Sequence, residues 1–141
     1  MVAPIDQARL TKWLAAYKKA WEQQDADAFV NLFTTDCEYR DTPFIEPVPG
    51  SEFRAFWRAL AEIQQDNHIE FEIPVPPAGN RAVVNWWAVS TRKGTMERRQ
   101  GNGIFLLTFA PDGRCSDLRE WQHWHPADAP LEKRGFTRQN S

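Results

Sequence analysis

Apolar residues change their spacing once along this chain, between residues 63 and 69, and that change narrows the folds open to it. Upstream the period is helical. Leu10, Trp13, Leu14, Tyr17 and Trp21 fall on one face of a helix predicted over 6–23, with Lys12, Lys18, Lys19 and Glu22 on the other. Asp25 is an N-cap for a second helix, with Asp27 in its first turn and Phe29, Leu32 and Phe33 as its apolar side. Cys37 to Arg40 reads as a short strand, and Pro43, Pro47, Pro49 and Gly50 mark a loop. Ser51 then caps a third helix over 52–65, whose period is carried by Phe53, Phe56, Trp57, Leu60 and Ile63 or Gln64.

Downstream the period is that of strands. Ile69, Phe71, Ile73 and Val75 alternate with His68, Glu70 and Glu72, and Pro74, Pro76 and Pro77 make this strand an edge or a bulged one. Strands follow over 81–92, 97–110 and 114–125, with turns at Lys93-Gly94 and at Pro111-Asp112-Gly113. Gly101 and Gly103 interrupt the middle one and read as a bend. Helices first and strands last predict an α+β fold with a mainly antiparallel sheet. Three helices cannot cover both faces of that sheet, so it must curl around them.

A length of 141 residues fits a single domain, 1–141, with a polar and loose tail over 126–141. The formal charge of −2 is spread without a basic block, which argues against nucleic acid as a partner. No apolar run is long enough to span a membrane, and the opening MVAPIDQARL has no apolar segment of the secretory type. Cys37 and Cys115 lie far apart in sequence and form no metal-type pair; a reduced, cytoplasmic setting is expected, with a disulfide left open. Seven Trp and nine Phe suit a lined cavity, a large apolar interface or plain core filling.

On DADAFVNLFTTDCEYRDTPF, on the Gly50 that opens the third helix and on PDGRCSDLREWQHW, the chain resembles the nuclear transport factor 2-like superfamily, in its SnoaL-like and ketosteroid-isomerase-like branch. The resemblance covers nearly the whole length and implies a cone: a strongly curved sheet wrapped around three helices, with an internal apolar pocket. That cone hosts isomerases, cyclases, dehydratases, epoxide hydrolases and many non-enzymes. The isomerase pattern lies on this chain without a gap from Tyr17 to Gly50. It implies Tyr17 as oxyanion donor and Asp41 as general base. The isomerase's two supporting tyrosines correspond to Phe33 and Arg58, and its second oxyanion donor falls near Phe105, so half of that oxyanion hole is missing and a steroid isomerase is a poor fit.

If the hairpin at Asp112-Gly113 is aligned, Leu118, Glu120 and Gln122 face the pocket, while Arg119, Trp121 and His123 face a partner subunit or solvent. Glu120 is then a second carboxylate opposite Asp41, and two such groups raise each other's affinity for protons. The catalytic candidates are therefore Asp41, Tyr17 and Glu120, and the substrate-binding candidates are Gln122, Trp57, Phe33, Phe105, Leu107 and Leu118. Each has a structural alternative: Asp41 as a loop cap, Tyr17 as a core tyrosine, Glu120 paired with Arg99. Trp86 and Trp87 point to opposite faces, so only one can line the pocket. His123 and His125, with His68, supply no clear metal set, and no glycine-rich phosphate loop or nucleophile motif occurs, so no metal or cofactor is expected. Arg99, Asp117 and Arg119 offer the residue types of an epoxide hydrolase outside its pattern. The expected function is cofactor-free proton transfer on a small apolar oxygenated ligand, as an isomerase, cyclase or dehydratase; the alternatives are a ligand-binding module without chemistry and a homodimeric scaffold paired through the outer sheet face.

Overall fold

The computed structural model describes residues 4–126. Its elements are α1 (Gln7–Glu22), α2 (Ala26–Val30), β1 (Phe33–Arg40), β2 (Val48–Pro49), a 3-10 turn (Gly50–Glu52), α3 (Phe53–Ile63), β3 (Gln64–Glu72), β4 (Arg81–Arg92), β5 (Glu97–Phe109) and β6 (Cys115–Pro126). The fold is α+β. Six strands form one curved sheet in the order β2-β1-β6-β5-β4-β3. β3 to β6 make an antiparallel meander, and β1 joins β6 in parallel. The first long strand thus closes against the last. No helix among the described residues is long and apolar enough to cross a membrane.

The helical stripe on α1 is buried as its spacing requires: Leu10, Trp13, Leu14, Tyr17, Ala20 and Trp21 all face the core. Asp6 caps this helix by accepting from Arg9 N at 2.7 Å. The far end of α1 is tied to the edge strand β3. Lys18 Nζ donates to Ile69 O at 2.7 Å, and Glu22 Oε2 accepts from Ile69 N at 2.9 Å. Asp25 caps α2 through Ala28 N at 3.0 Å.

Three local readings change. The second helix ends at Val30, so Leu32 and Phe33 leave it. Leu32 O accepts from both Trp13 Nε1 (3.0 Å) and Cys115 N (2.9 Å), which draws the chain into the sheet, and β1 starts at Phe33 rather than Cys37. Ser51 does not cap the third helix; the chain first makes a 3-10 turn, and α3 begins at Phe53 with no side-chain cap. β3 starts directly after α3, five residues before its alternation begins, and a register shift between Gln65 and His68, with Asp66 at φ 53°, absorbs the irregular start. The loose tail expected over 126–141 falls, beyond Pro126, outside the described residues.

Gly101 and Gly103 do more than bend β5. A Cβ on Gly101 would stand 2.6 Å from the Trp124 indole, and one on Gly103 would stand 2.5 Å from the Trp86 indole. The two bare backbones let both indoles lie flat across the inner face of the sheet. The two cysteines, distant in sequence, meet where β1 joins β6; both are free and fully buried, and burial together with the neighbouring Cys37 pushes the Cys115 thiol up. Trp87 and Val89 form a small separate cluster on the opposite face. Gly103→Ala should therefore destabilise the fold by about 1–3 kcal/mol, the usual cost of overpacking. Urea denaturation followed by tryptophan fluorescence measures it.

Candidate active site

The parallel pairing of β1 with β6 sets Tyr39 opposite Leu118 and Arg40 opposite Arg119. The next step along both strands brings Asp41 level with Glu120. On the other side of β6, Glu120 pairs with Phe105 of β5. Alternation turns Tyr39 inward with Asp41, and Glu120 inward with Gln122 and Trp124. A cavity of about 100 Å³ opens there, lined by Tyr17, Tyr39, Asp41, Glu120 and Gln122 together with an aromatic wall that includes Trp57, Trp86, Phe105 and Trp124.

The polar groups form one hydrogen-bonded chain. Tyr39 donates to Glu120 Oε1 at 3.2 Å, and the Tyr17 and Tyr39 hydroxyls are 3.3 Å apart. A phenol has one proton to donate, so Tyr17 donates to Tyr39 when Tyr39 donates to Glu120. Glu120 is in turn hydrogen-bonded to the Asp41 carboxylate. Gln122 Nε2 holds Asp41 O at 2.6 Å, and Gln122 Oε1 accepts from Trp124 Nε1 at 2.7 Å. Asp41, placed just after a strand and before Pro43, is thereby fixed by its own backbone.

Burial dominates the electrostatics. It pushes the Glu120 carboxyl well up from the ordinary range, and the Asp41 charge beside it pushes further. Asp41 is half-buried; burial raises its carboxyl, and hydrogen bonds from Gln122 and Glu120 pull part of the way back. Glu120 is therefore the protonated member of the pair and Asp41 the ionised one. Tyr17 and Tyr39 are raised well above their usual range, first by burial and then by the charge that Glu120 carries once it has ionised, so both remain proton donors.

Asp41, Tyr17, Glu120, Gln122, Trp57 and Phe105 thus come together at one cavity. Phe33, Leu107 and Leu118 do not line it. Leu107 and Leu118 pair with each other two residues from Phe105 and Glu120, on the inward face but in the fully closed core, and Phe33 packs edge-on against Trp13 and Phe53. Correct face did not suffice, because the apolar end of α1 fills the space at their depth. Glu120 has no ion pair with Arg99, which bonds Glu97 at 2.6 Å. Arg119 and Asp117 pair at 3.5 Å away from the cavity, so no arginine stands between two aspartates in it. Trp86 lines the cavity and Trp87 lies on the outer face. His68 and His125 occupy one row across β3, β4, β5 and β6, three strand spacings or roughly 14 Å apart, and no metal-holding cluster occurs among the described residues.

Tyr39 is the cavity-lining hydroxyl that the sequence reading does not name. Its signal was parity: with Asp41 inward, the residue two before it on the same strand is inward too. The same rule applied to β6 extends Leu118, Glu120 and Gln122 to Trp124. The missing support for Tyr17 is thus supplied from β1, not from the positions of Phe33 and Arg58.

The sequence profile of the SnoaL-like domain matches residues 14–118. Among curated proteins none matches by sequence. Similar solved structures include SalBIII, an epoxide hydrolase/cyclase-like enzyme of pyran ring formation in the polyether salinomycin, at 21% identity over 83% of this chain and 92% of that one, with a TM-score of 0.71. A ketosteroid isomerase-like protein from Erwinia carotovora atroseptica is 20% identical over 80% and 92%, with a TM-score of 0.64. A type 2 hexachlorocyclohexane dehydrochlorinase, LinA, is 10% identical over 92% and 94%, with a TM-score of 0.70. At these identities the likeness is one of fold.

The raised Glu120 carboxyl sets a sign for stability. A group that binds its proton more tightly when folded favours the fold at acid pH, and that contribution is lost as pH rises from the unfolded carboxylate range through the raised folded value. Glu120→Gln should therefore melt higher than wild type at neutral pH, by on the order of 1 kcal/mol, and the gain should vanish near pH 4, where both states hold the proton. Thermal melts at the two pH values measure the difference.

Proposed function

The chain belongs to the SnoaL-like domain family, and we propose that it is a cofactor-free enzyme that moves a proton on a small oxygenated organic molecule. The observation that carries this reading is the hydrogen-bonded run from Tyr17 through Tyr39 and Glu120 to Asp41, ending on a half-buried carboxylate in a cavity. Two carboxyl groups side by side, one protonated and one ionised, supply an acid and a base without a cofactor. Asp41 takes a proton from carbon beside a carbonyl or hydroxyl. The C–H electrons become a carbon–carbon double bond, and the oxygen that gains charge meets the proton on Glu120. From the enol, return of a proton at another carbon gives isomerisation, and attack of the enol carbon on a second carbonyl of the same molecule, whose oxygen takes up the proton, gives cyclisation; from a hydroxyl substrate, departure of the protonated oxygen as water gives dehydration.

Tyr39 and Tyr17 act behind Glu120, as a file of donors that stabilises charge when its proton leaves. Tyr17 thus supports the acid, where the isomerase resemblance made it the direct oxyanion donor. The cavity is smaller than the roughly 150 Å³ that holds a benzene ring. Only a compact reacting group fits within it, and a steroid nucleus does not.

Cyclopent-3-enone is a probe of suitable size, because its conversion to the conjugated enone is seen by ultraviolet absorbance. Wild-type protein should accelerate it with a bell-shaped pH profile, whose limbs belong to the carboxyl pair as a unit. Both limbs should be displaced upward from the groups' ordinary values, the Glu120 limb the further, since burial raises both. Asp41→Asn should keep the fold and lower kcat by roughly 10²–10⁴-fold, the usual contribution of a positioned base. Full activity in that variant would end the assignment.

The family's pairing through the outer sheet face is proposed for this chain as well. Trp121 stands 42% exposed on that face. Light scattering at micromolar concentration should give twice the monomer mass, and a monomer would contradict the pairing.

A further inference from the structure

A second cavity, of about 180 Å³, adjoins the first. Ile63, Gln64, Ser90, Arg92, Arg99 and Trp124 line it, and Gln64 and Trp124 line both cavities. We propose that the two form one bipartite site, in which the reacting end of the substrate enters the Asp41–Glu120 chamber and a carboxylate at its other end is held by Arg92 and Arg99. The substrate class is an elongated keto or hydroxy acid. This inference rests on the proton-transfer reading for what happens in the inner chamber, but the recognition it assigns to the outer one is tested separately.

Three observations carry it. The first is continuity. Gln64 and Trp124 border both chambers, and Trp124 is held by the same Gln122 that fixes Asp41.

The second is charge. Among the described residues the outer chamber is lined by two arginines and no acid. Arg99 is bound to Glu97, and Arg92, the β-sheet partner of Glu97, forms no ion pair with it. Arg92 has no ion pair among the described residues. One positive charge is left over, next to a fork able to bind a carboxylate through two N–H groups.

The third is a set of unmet hydrogen bonds. Gln64 Oε1, at the junction, and Trp57 Nε1 and Trp86 Nε1, on the inner wall, are buried and have no partner among the described residues. A buried acceptor and a buried donor left open cost the fold free energy unless a ligand or water meets them. Gln64 Oε1 suits a hydroxyl passing between the chambers, and Trp57 Nε1 suits an oxygen in the inner one.

Strand geometry fixes the length. Glu120 and Trp124 are four residues apart on β6, and Arg99 pairs with Pro126 two residues further on. At about 3.3 Å per residue, the gap from Glu120 to the level of Arg99 is roughly 20 Å; Arg99 is held toward Glu97, on the far side, so an acid bridging the chambers has to draw its guanidinium back along the strand, which leaves roughly 10–13 Å to span. A short acid cannot touch both ends.

The test uses 8-oxononanoate and its methyl ester, which share a ketone and a chain length and differ in the charge at the far end. Quenching of tryptophan fluorescence reads their affinity. The acid should bind at least about tenfold more tightly than the ester, as a charge-assisted pair requires. Arg92→Gln and Arg99→Gln, singly and together, should bring the acid down to the ester's affinity; the Arg92 side chain is exposed, so its variant guards against a folding defect in the other. Equal binding of acid and ester, no binding of either, or a preference that survives in the double variant would overturn the inference. Exchange of the hydrogens beside the ketone for deuterium in heavy water reads the inner chamber independently. Acid preference without exchange upholds the anion site and sinks the proton-transfer reading; exchange without acid preference does the reverse.

Discussion

A buried carboxyl group in the middle of the sheet is the constraint on which the rest depends. Glu120 is 6% exposed and has no cation beside it among the described residues, and a charge in that position would be costly. The fold meets this by keeping the group protonated, inside an aromatic wall, and giving it two hydrogen-bonding partners: a phenol from β1 and the carboxylate of Asp41 just beyond it. Each of those partners reaches Glu120 because β1 pairs in parallel with β6. A mainly antiparallel meander has no need of such a strand for its own sake. Here the parallel strand brings the Tyr39 hydroxyl and the Asp41 carboxyl to the central strand, and β2 and the loop before α3 close over its end.

Aromatic packing supplies the rigidity that this arrangement requires. Tyr17 touches Trp13, Phe29, Trp57, Phe71 and Phe105, with centroids between 5.3 and 6.1 Å, so its hydroxyl has little freedom. Phe29 stacks on Trp57 at 3.7 Å and locks α2 to α3 over the cavity. Two glycines on β5 give Trp86 and Trp124 the room to lie against the sheet. The numerous rings, which by composition alone suited a core, an interface or a cavity, serve both core and cavity here: the same layer is close-packed toward Phe33, Leu107 and Leu118 and open toward Asp41.

Much of this was legible in the sequence because the signals were periodic. The α1 stripe, the strand boundaries of β4 and the alternation on β6 are each set by one face being apolar, and a slip of one residue would have buried charges. Periodicity set Tyr17 on the buried stripe of α1 and Glu120 and Gln122 on the pocket face of β6, while the place of Asp41 beside them came with the family resemblance. What failed was depth and local chemistry. Alternation states which way Leu107 and Leu118 point, but not whether a helix has already filled the space before them. Ser51 has the side chain of a cap, yet a 3-10 turn intervened. Tyr39 was hidden because the strand was read only as far as the aspartate that ends it, and the pairing of β1 with β6 was needed to show its hydroxyl between Tyr17 and Glu120. The 3-10 turn and the tiny β2 leave no periodic trace at all.

Proton affinity of the carboxyl pair is the quantity that decides the account. Carbon-13 NMR of side-chain carboxyls, titrated with pH and assigned with Asp41→Asn and Glu120→Gln, reads it directly. Glu120 should keep its proton well above the ordinary carboxylate range, Asp41 should titrate above its usual value, and removing the Asp41 charge should lower Glu120. If both carboxyls titrate as they do in water and neither responds to loss of the other, Glu120 is no proton donor and the cavity is a binding site without the chemistry assigned to it.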